Sequence, residues 1–81
     1  MGAGLMGMVS EEDFLSFAGR VFGVAPGTLA LDTAYETIPE WDSVMHLRLA
    51  MEMEAAYAVR LPFELVPEMK TLRDFYERLP R

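Results

Sequence analysis

The chain contains no cysteine and only one histidine among its 81 residues. The absence of cysteine excludes a disulfide framework, a thiolate metal site and a cysteine nucleophile. A chain of this length forms a single domain around a single core, which apolar burial alone must stabilise. Any thiol chemistry must therefore come from a group supplied from outside the chain.

Basic residues are also scarce: seven stand against thirteen acidic residues, which gives a net charge of -6. This charge repels phosphate backbones and anionic membrane surfaces, so we expect neither a nucleic acid nor a membrane as a partner. It favours association with proteins that carry basic patches. We expect a cytoplasmic monomer.

Long apolar runs are missing as well, so no signal peptide or membrane span is predicted. The first eight residues are mostly glycine and methionine. We interpret residues 1–9 as a flexible N-terminal leader that precedes one domain over residues 10–81.

The spacing of apolar residues predicts a first helix over about residues 10–22. Ser10 resembles the start of a capping box, and Gly23 supplies a left-handed stop. A long connection then runs to Trp41, which we expect to anchor this loop against the next helix. A loop of this length fits a compact domain if its scattered apolar residues hold it across the helices or if it has a function.

The second helix begins at Asp42-Ser43 and continues to about Ala58 without glycine or proline. It carries two apolar stripes. One contains His46, Leu49, Ala50, Met53 and Tyr57, and the other contains Val44, Leu47, Met51 and Ala55. Such a helix is either buried on both faces or offers one face to a partner.

The remaining chain predicts two more helices. Residues 63–66 have room for about one helical turn before Pro67, and a last helix is predicted from Thr71 to about Leu79. No segment shows sustained strand periodicity. We predict an all-α fold, a four-helix bundle of three main helices plus one short helix, with a long loop between helices one and two.

Candidates for catalysis are few. His46 has no second histidine or cysteine with which to share a metal, and we interpret it as a structural residue, solvated or partly buried. Glu52 and Glu54 stand two positions apart on a helix, so they point in different directions and do not form an acid-base pair. We predict no catalytic residue and no metal site.

Ser43 has two interpretations. It can be an N-cap, since a serine oxygen satisfies free backbone N–H groups at a helix start. It can also carry a phosphate ester, because a phosphate there would lie at the positive end of the helix dipole.

Four features in order favour the second interpretation: the run Trp41-Asp42-Ser43-Val44, the helix ending in Tyr57, the step Leu61-Pro62, and residues 70–75. With these, residues 10–79 resemble an acyl carrier protein. The chain also matches the Gly-Val pair that follows helix one in that family, at Gly23-Val24, and the aromatic residue of its long loop, at Tyr35.

The resemblance implies a four-helix bundle whose Ser43 receives 4'-phosphopantetheine from coenzyme A through a magnesium-dependent phosphopantetheinyl transferase. It implies that Asp42 helps to present the serine. From its position alone Asp42 can instead be a second N-terminal cap, and both roles can hold at once. Acyl-loading and acyl-transfer or synthase enzymes would then cover helix two at the partner-contact residues Val44, Leu47, Arg48 and Met51. The other stripe would face the interior, and we expect the core to be lined by seven residues: Leu49, Met53, Tyr57, Phe14, Phe17, Leu72 and Phe75. The carrier itself would not be an enzyme.

Arg48 stands where the family usually has glutamate, so docking by charge alone should be weaker than in fatty-acid carriers. The residues around the motif look more like discrete carriers of specialised pathways, such as polyketide biosynthesis. Two alternatives remain open: an aminoacyl or peptidyl carrier of the same fold, and an acidic helical interaction module in which Ser43 is only a cap.

Overall fold

The computed structural model of the protein describes residues 9–79, which form three α-helices and two short 3-10 helices. The α-helices are α1 (Glu11–Phe22), α2 (Ser43–Tyr57) and α3 (Leu72–Tyr76), and the 3-10 helices are Pro26–Thr28 and Val66–Glu68. Residues 9–79 contain no strand, only an isolated bridge between Ala34 and Thr71. The all-α prediction is confirmed. None of the described helices is long and apolar enough to cross a membrane.

The ends of α1 follow the predicted chemistry. The Ser10 hydroxyl accepts a hydrogen bond from the Asp13 N–H at 3.0 Å. Gly23 closes the helix at φ 77° and ψ 33°, a conformation that glycine adopts without steric cost, and its N–H donates to the Gly19 carbonyl. A Cβ on Gly19 would lie 2.9 Å from the Val24 carbonyl oxygen, so the loop can fold back only over a glycine.

The predicted bounds of α2 are also confirmed. Its first turn is capped by Asp42, and it ends at Ala58, which takes a left-handed conformation with φ 56° although it is not glycine. The next connection is fixed by Glu54, whose carboxylate accepts a hydrogen bond from the Leu61 N–H at 2.8 Å.

The last helix is shorter than predicted. Thr71 and Asp74 form the expected capping box at its start, but α3 ends at Tyr76 rather than at Leu79. The N–H groups of Arg78 and Leu79 donate to carbonyls three residues back, which tightens the chain into turns. Leu79 also precedes a proline, and that position disfavours the α conformation.

The short helix predicted at residues 63–66 is wrong in position. Residues 63–65 form a turn, and a 3-10 helix follows over Val66–Glu68. Pro67 lies in its first turn, where the missing N–H costs no hydrogen bond. Within residues 9–79 the chain therefore forms two long helices, one short α-helix and two single-turn 3-10 helices, instead of three main helices and one short helix.

The core lies between α1, α2 and the C-terminal segment. Of the seven residues predicted to line it, six are buried and Tyr57 is half-buried, its ring centroid 5.1 Å from that of Phe17. The six are Phe14, Phe17, Leu49, Met53, Leu72 and Phe75. The prediction of which α2 stripe faces the interior is confirmed.

The long connection before α2 is held across the domain, as its apolar residues predicted. Leu29 and Leu31 are buried in the core. Three backbone hydrogen bonds of 2.7 to 3.1 Å join residues 31–35 to residues 70–73. An exposed ion pair of 2.8 Å between Asp32 and Arg73 lies beside them.

The predicted N-terminal leader lies outside the described residues apart from Val9. The Val9 carbonyl accepts a hydrogen bond from the Tyr76 hydroxyl at 2.9 Å, and its side chain packs against the core.

Candidate functional site

At the start of α2, one residue caps the helix and a different one carries the exposed hydroxyl. Asp42 is the N-cap: its carboxylate oxygen Oδ1 accepts a hydrogen bond from the Met45 N–H at 3.0 Å. Ser43 is the first helical residue and is exposed, and its hydroxyl makes no hydrogen bond within residues 9–79. The interpretation of Ser43 as the cap is therefore wrong, and its hydroxyl is open to a reagent from solvent.

A pair of buried hydrogen bonds fixes the backbone around Ser43. The Trp41 side chain is fully buried, and its Nε1–H donates to Nδ1 of His46 at 3.0 Å. The other ring nitrogen of His46 lies 2.8 Å from the Val66 carbonyl oxygen. These bonds join the loop, α2 and the second 3-10 helix, and they confirm Trp41 as the anchor of the loop.

The hydrogen-bond partners of His46 determine which of its ring nitrogens carries the hydrogen. An indole N–H can only donate and a carbonyl can only accept, so Nδ1 is bare and Nε2 carries the proton. The imidazole is buried rather than solvated or partly buried as predicted, with 7% of its surface exposed. Both nitrogens are occupied, which supports a structural role. Residues 9–79 hold no group of three or more potential ligands that could bind a metal.

Aromatic rings surround this hydrogen-bonded pair. Phe22 stacks on Trp41 with centroids 5.2 Å apart, and Phe75 meets the His46 ring edge to face at 5.2 Å. Tyr35, the aromatic residue of the long loop, lies 4.6 Å from the same imidazole. The loop before Ser43 thus rests on a packed aromatic cluster.

The second stripe of α2 faces solvent. The exposed fraction is 71% for Val44, 60% for Met51 and 37% for Leu47. The interpretation of this stripe as core is therefore wrong. Among the described residues only one other large apolar side chain, that of Phe63 at 75%, is exposed.

These four exposed side chains line two open hollows that meet at Ser43 and Leu47. The first, here the α2 hollow, lies along the exposed stripe and includes Arg48, Glu52 and Ala55. The second, here the Phe63 hollow, lies between α2, Tyr35 and residues 63–67. Ser43 therefore borders both hollows, and between them these contain all four large apolar side chains that are exposed in residues 9–79.

Arg48 lies at the edge of the α2 hollow. Its Nε lies 3.4 Å from a carboxylate oxygen of Glu52, one helical turn later, and both side chains are about half exposed. A surface pair of this kind adds little stability, but it neutralises the charge beside the apolar stripe.

The structure places Asp42 at the N-cap of α2 and the other predicted site residues within α2, between Ser43 and Met51. It adds Phe63, which sequence reasoning missed because it belongs to no apolar periodicity. One signal could have indicated that Phe63 is exposed: it lies between a proline and a glutamate, at a position for which no place in the core was predicted.

Comparisons with known proteins add no relative: no protein-family model and no curated protein sequence matches the chain. The resemblance stated for residues 10–79 therefore depends on its motif residues alone.

Proposed function

We propose that this protein is an acyl carrier protein whose Ser43 hydroxyl accepts 4'-phosphopantetheine and which presents thioester-bound acyl groups to biosynthetic enzymes. One observation carries the proposal: Asp42 caps α2 and leaves the adjacent Ser43 hydroxyl exposed and without a hydrogen bond in the described chain. If Ser43 were the N-cap, its hydroxyl would accept the hydrogen bond from the α2 backbone that Asp42 accepts instead.

The attachment is a phosphoryl transfer to Ser43. Its Oγ attacks the phosphorus that bears the pantetheine of coenzyme A, and the bond from that phosphorus to the bridging oxygen breaks. Adenosine bisphosphate leaves with the electron pair, and the serine proton passes to a base of the transferase. The N-terminus of α2 stabilises the phosphate through its dipole.

Asp42 fits a supporting role in this step. Its Oδ1 is committed to the Met45 N–H, while Oδ2 makes no hydrogen bond within residues 9–79 and lies on an exposed side chain. Oδ2 would be the atom of this chain that holds the magnesium of the transferase, since carboxylate oxygens are ligands that Mg²⁺ prefers.

The chain has no cysteine, so the prosthetic group supplies the thiol on which acyl groups are carried. The protein's own contribution is to tether and to be recognised. Attachment at an exposed helix start raises the local concentration of cargo at any enzyme that docks there. The exposed stripe Val44, Leu47 and Met51 supplies an apolar surface for such docking.

The proposal includes the family's four-helix arrangement. The helices α1, α2 and α3 take three of the positions, and residues 62–69, with their single 3-10 turn, take the position of the short helix. Contact between this segment and α2 through Val66 and His46 supports the assignment.

The test is intact-mass measurement after the apo protein is incubated with a broad-specificity phosphopantetheinyl transferase, coenzyme A and magnesium. We expect the mass of one phosphopantetheine to be added to the wild type and to Ser16→Ala, the control at the other helical serine. Ser43→Ala should gain nothing. A wild type without mass gain would contradict the proposal and leave an acidic interaction module as the better description.

The holo protein then allows the cargo to be tested. Loading from acyl coenzyme A thioesters through an acyltransferase supports the acyl carrier. Loading only from amino-acid adenylates would assign the protein to the aminoacyl or peptidyl carriers.

A further inference from the structure

We infer that His46 is a positioning residue for the attachment step: through its buried hydrogen bond to Trp41 it fixes the place at which the backbone presents the Ser43 hydroxyl. The inference rests on the proposed function and deepens it, because it names a buried side chain that acts on the reaction at the surface. His46 exchanges no proton with the serine, since both of its ring nitrogens are occupied by other partners.

Ser43 lies between the two ends of this bond. The Trp41 side chain, two residues before Ser43, donates from Nε1–H to Nδ1 of His46, three residues after Ser43, at 3.0 Å. Both side chains are buried. The main chain closes the same stretch, because the His46 N–H donates to the Asp42 carbonyl at 2.8 Å. Two hydrogen bonds therefore close residues 41–46, with Ser43 between their ends.

The side chain of Ser43 has no bond of its own to hold it. It is exposed, and its hydroxyl makes no hydrogen bond within residues 9–79. The position of the hydroxyl is therefore set by the backbone beneath it, together with rotation about one side-chain bond. A displacement of about 1 Å at a reacting atom can lower a rate about a hundredfold, so the bonds that fix this backbone act on the transfer.

A histidine at position 46 contributes geometry more than stability. Its ring is packed among the rings of Tyr35, Trp41 and Phe75, where an apolar side chain would be stabilised by burial alone. A buried polar pair costs its desolvation and returns little net free energy even when both partners are satisfied. It adds direction, because a hydrogen bond holds two groups at a defined distance and angle. The bond between Nε2 of His46 and the Val66 carbonyl, at 2.8 Å, fixes the imidazole itself in the same way.

Two substitutions of His46 separate its two bonds. The amide oxygen of asparagine lies as far from the backbone as Nδ1, so His46→Asn keeps an acceptor for Trp41 and loses the Val66 bond. The amide nitrogen of glutamine lies as far out as Nε2, so His46→Gln keeps a donor for Val66 and loses the Trp41 bond. Trp41→Phe removes the donor and keeps an aromatic ring. Phe17→Leu is the control for lost core packing, because Phe17 contacts Tyr57 at the other end of α2.

The measurement is modification of the apo protein by the transferase, with kcat and KM determined separately and circular dichroism verifying that each variant is folded. We expect kcat to fall about tenfold in His46→Gln and in Trp41→Phe, with KM within about twofold of the wild type. In His46→Asn and Phe17→Leu, kcat should fall by less than about threefold. Combining His46→Gln with Trp41→Phe should lower kcat no further than either alone, because both remove the same bond.

Hydrogen exchange of the single indole N–H gives a readout that does not need the transferase. Exchange should be slow in the wild type and in His46→Asn, and at least about tenfold faster in His46→Gln, where the indole has lost its acceptor.

Three kinetic results would overturn the inference: a kcat for His46→Gln within about twofold of that for Phe17→Leu, a loss confined to KM, or a His46→Asn no faster than His46→Gln. Fast exchange of the indole N–H in the wild type would overturn it as well. If a variant of His46 does not fold, the kcat of Trp41→Phe against that of Phe17→Leu decides. In all of these cases the wild type is modified, so the inference fails alone, whereas a wild type that is not modified contradicts the proposed function and this inference with it.

Discussion

Replacing Ser43 by alanine should abolish modification without weakening the fold, because the cap of α2 belongs to its neighbour. The Ser43 hydroxyl makes no hydrogen bond within residues 9–79, so its removal breaks none. Asp42 provides the contrast, since its carboxylate accepts the Met45 N–H at 3.0 Å. Variants of the two residues therefore test separately the stability of α2, through Asp42, and the proposed attachment, through Ser43.

The expected energies differ in sign as well as in size. Alanine favours a helix over serine by up to about 0.5 kcal/mol, so Ser43→Ala should leave the free energy of unfolding unchanged or raise it by that amount. Asp42→Ala should lower it by about 1 kcal/mol through loss of the cap. Asp42→Asn keeps an oxygen acceptor and should remain within about 0.5 kcal/mol of the wild type.

The assay is urea denaturation followed by far-ultraviolet circular dichroism, with intact mass measured on the same preparations. Asp42→Asn removes the carboxylate but keeps the cap, so slower modification of this variant would assign the charge of Asp42 to the transfer step. Two results would refute the reasoning: a loss of more than about 1 kcal/mol in Ser43→Ala would give its hydroxyl a structural role, and phosphopantetheine on Ser43→Ala would place the attachment elsewhere.

Three further predictions concern residues around the site. His46→Ala deprives the buried Trp41 N–H of its acceptor and opens a cavity, so the free energy of unfolding should fall by about 3 kcal/mol, measured from the emission of the single tryptophan. Met51→Asp changes a side chain that is 60% exposed, so stability should change by less than about 0.5 kcal/mol while kcat/KM for the transferase falls several-fold. Burial raises the pKa of Tyr57 above its ordinary value of 10.0, so the unfolded chain releases this proton first and stability should fall as the pH rises above 10.0. Tyr57→Phe, followed by denaturation at several pH values, should remove that part of the fall.

Each of these has a contradicting outcome. Equal stability of His46→Ala and wild type would show that the Trp41 bond is not made in solution. Unfolding of Met51→Asp would show that the stripe is core, and an unchanged pH dependence in Tyr57→Phe would show that the phenol is fully solvated.

Local chemistry predicted the boundaries of α1 and α2, because each depends on residues next to it in sequence. Ser10 and Gly23 mark the ends of α1 by their own hydrogen bonds and backbone conformation. The length of the last helix was overestimated because its apolar spacing continues to Leu79. Periodicity does not register the backbone effects that end the helix earlier, which are the tightened turns at Arg78 and Leu79 and the proline that follows.

The sequence singled out the residues at the start of α2 for a site but not the hydrogen bonds that they make. Asp42 and Ser43 are both good caps, and propensity alone could not decide which of them accepts the Met45 N–H. Periodicity identified two stripes on α2, and the resemblance rather than the spacing assigned one of them to solvent, because that choice depends on how α1 packs. The burial of His46 depends on a hydrogen bond to Val66, 20 positions later in the sequence, and Phe63 is largely exposed. Neither environment is set by neighbouring residues in the sequence, so no local rule predicts it.

The hydrogen bonds between residues 31–35 and 70–73 have a consequence for the order of events during translation. The loop that leads into Ser43 is completed by a segment synthesised nearly thirty residues after that serine. A nascent chain that has exposed α1 and α2 still lacks the partners of this loop until residues 70–73 leave the ribosome. Ser43 therefore reaches its final setting only after residues 70–73 have been synthesised and can pair with residues 31–35.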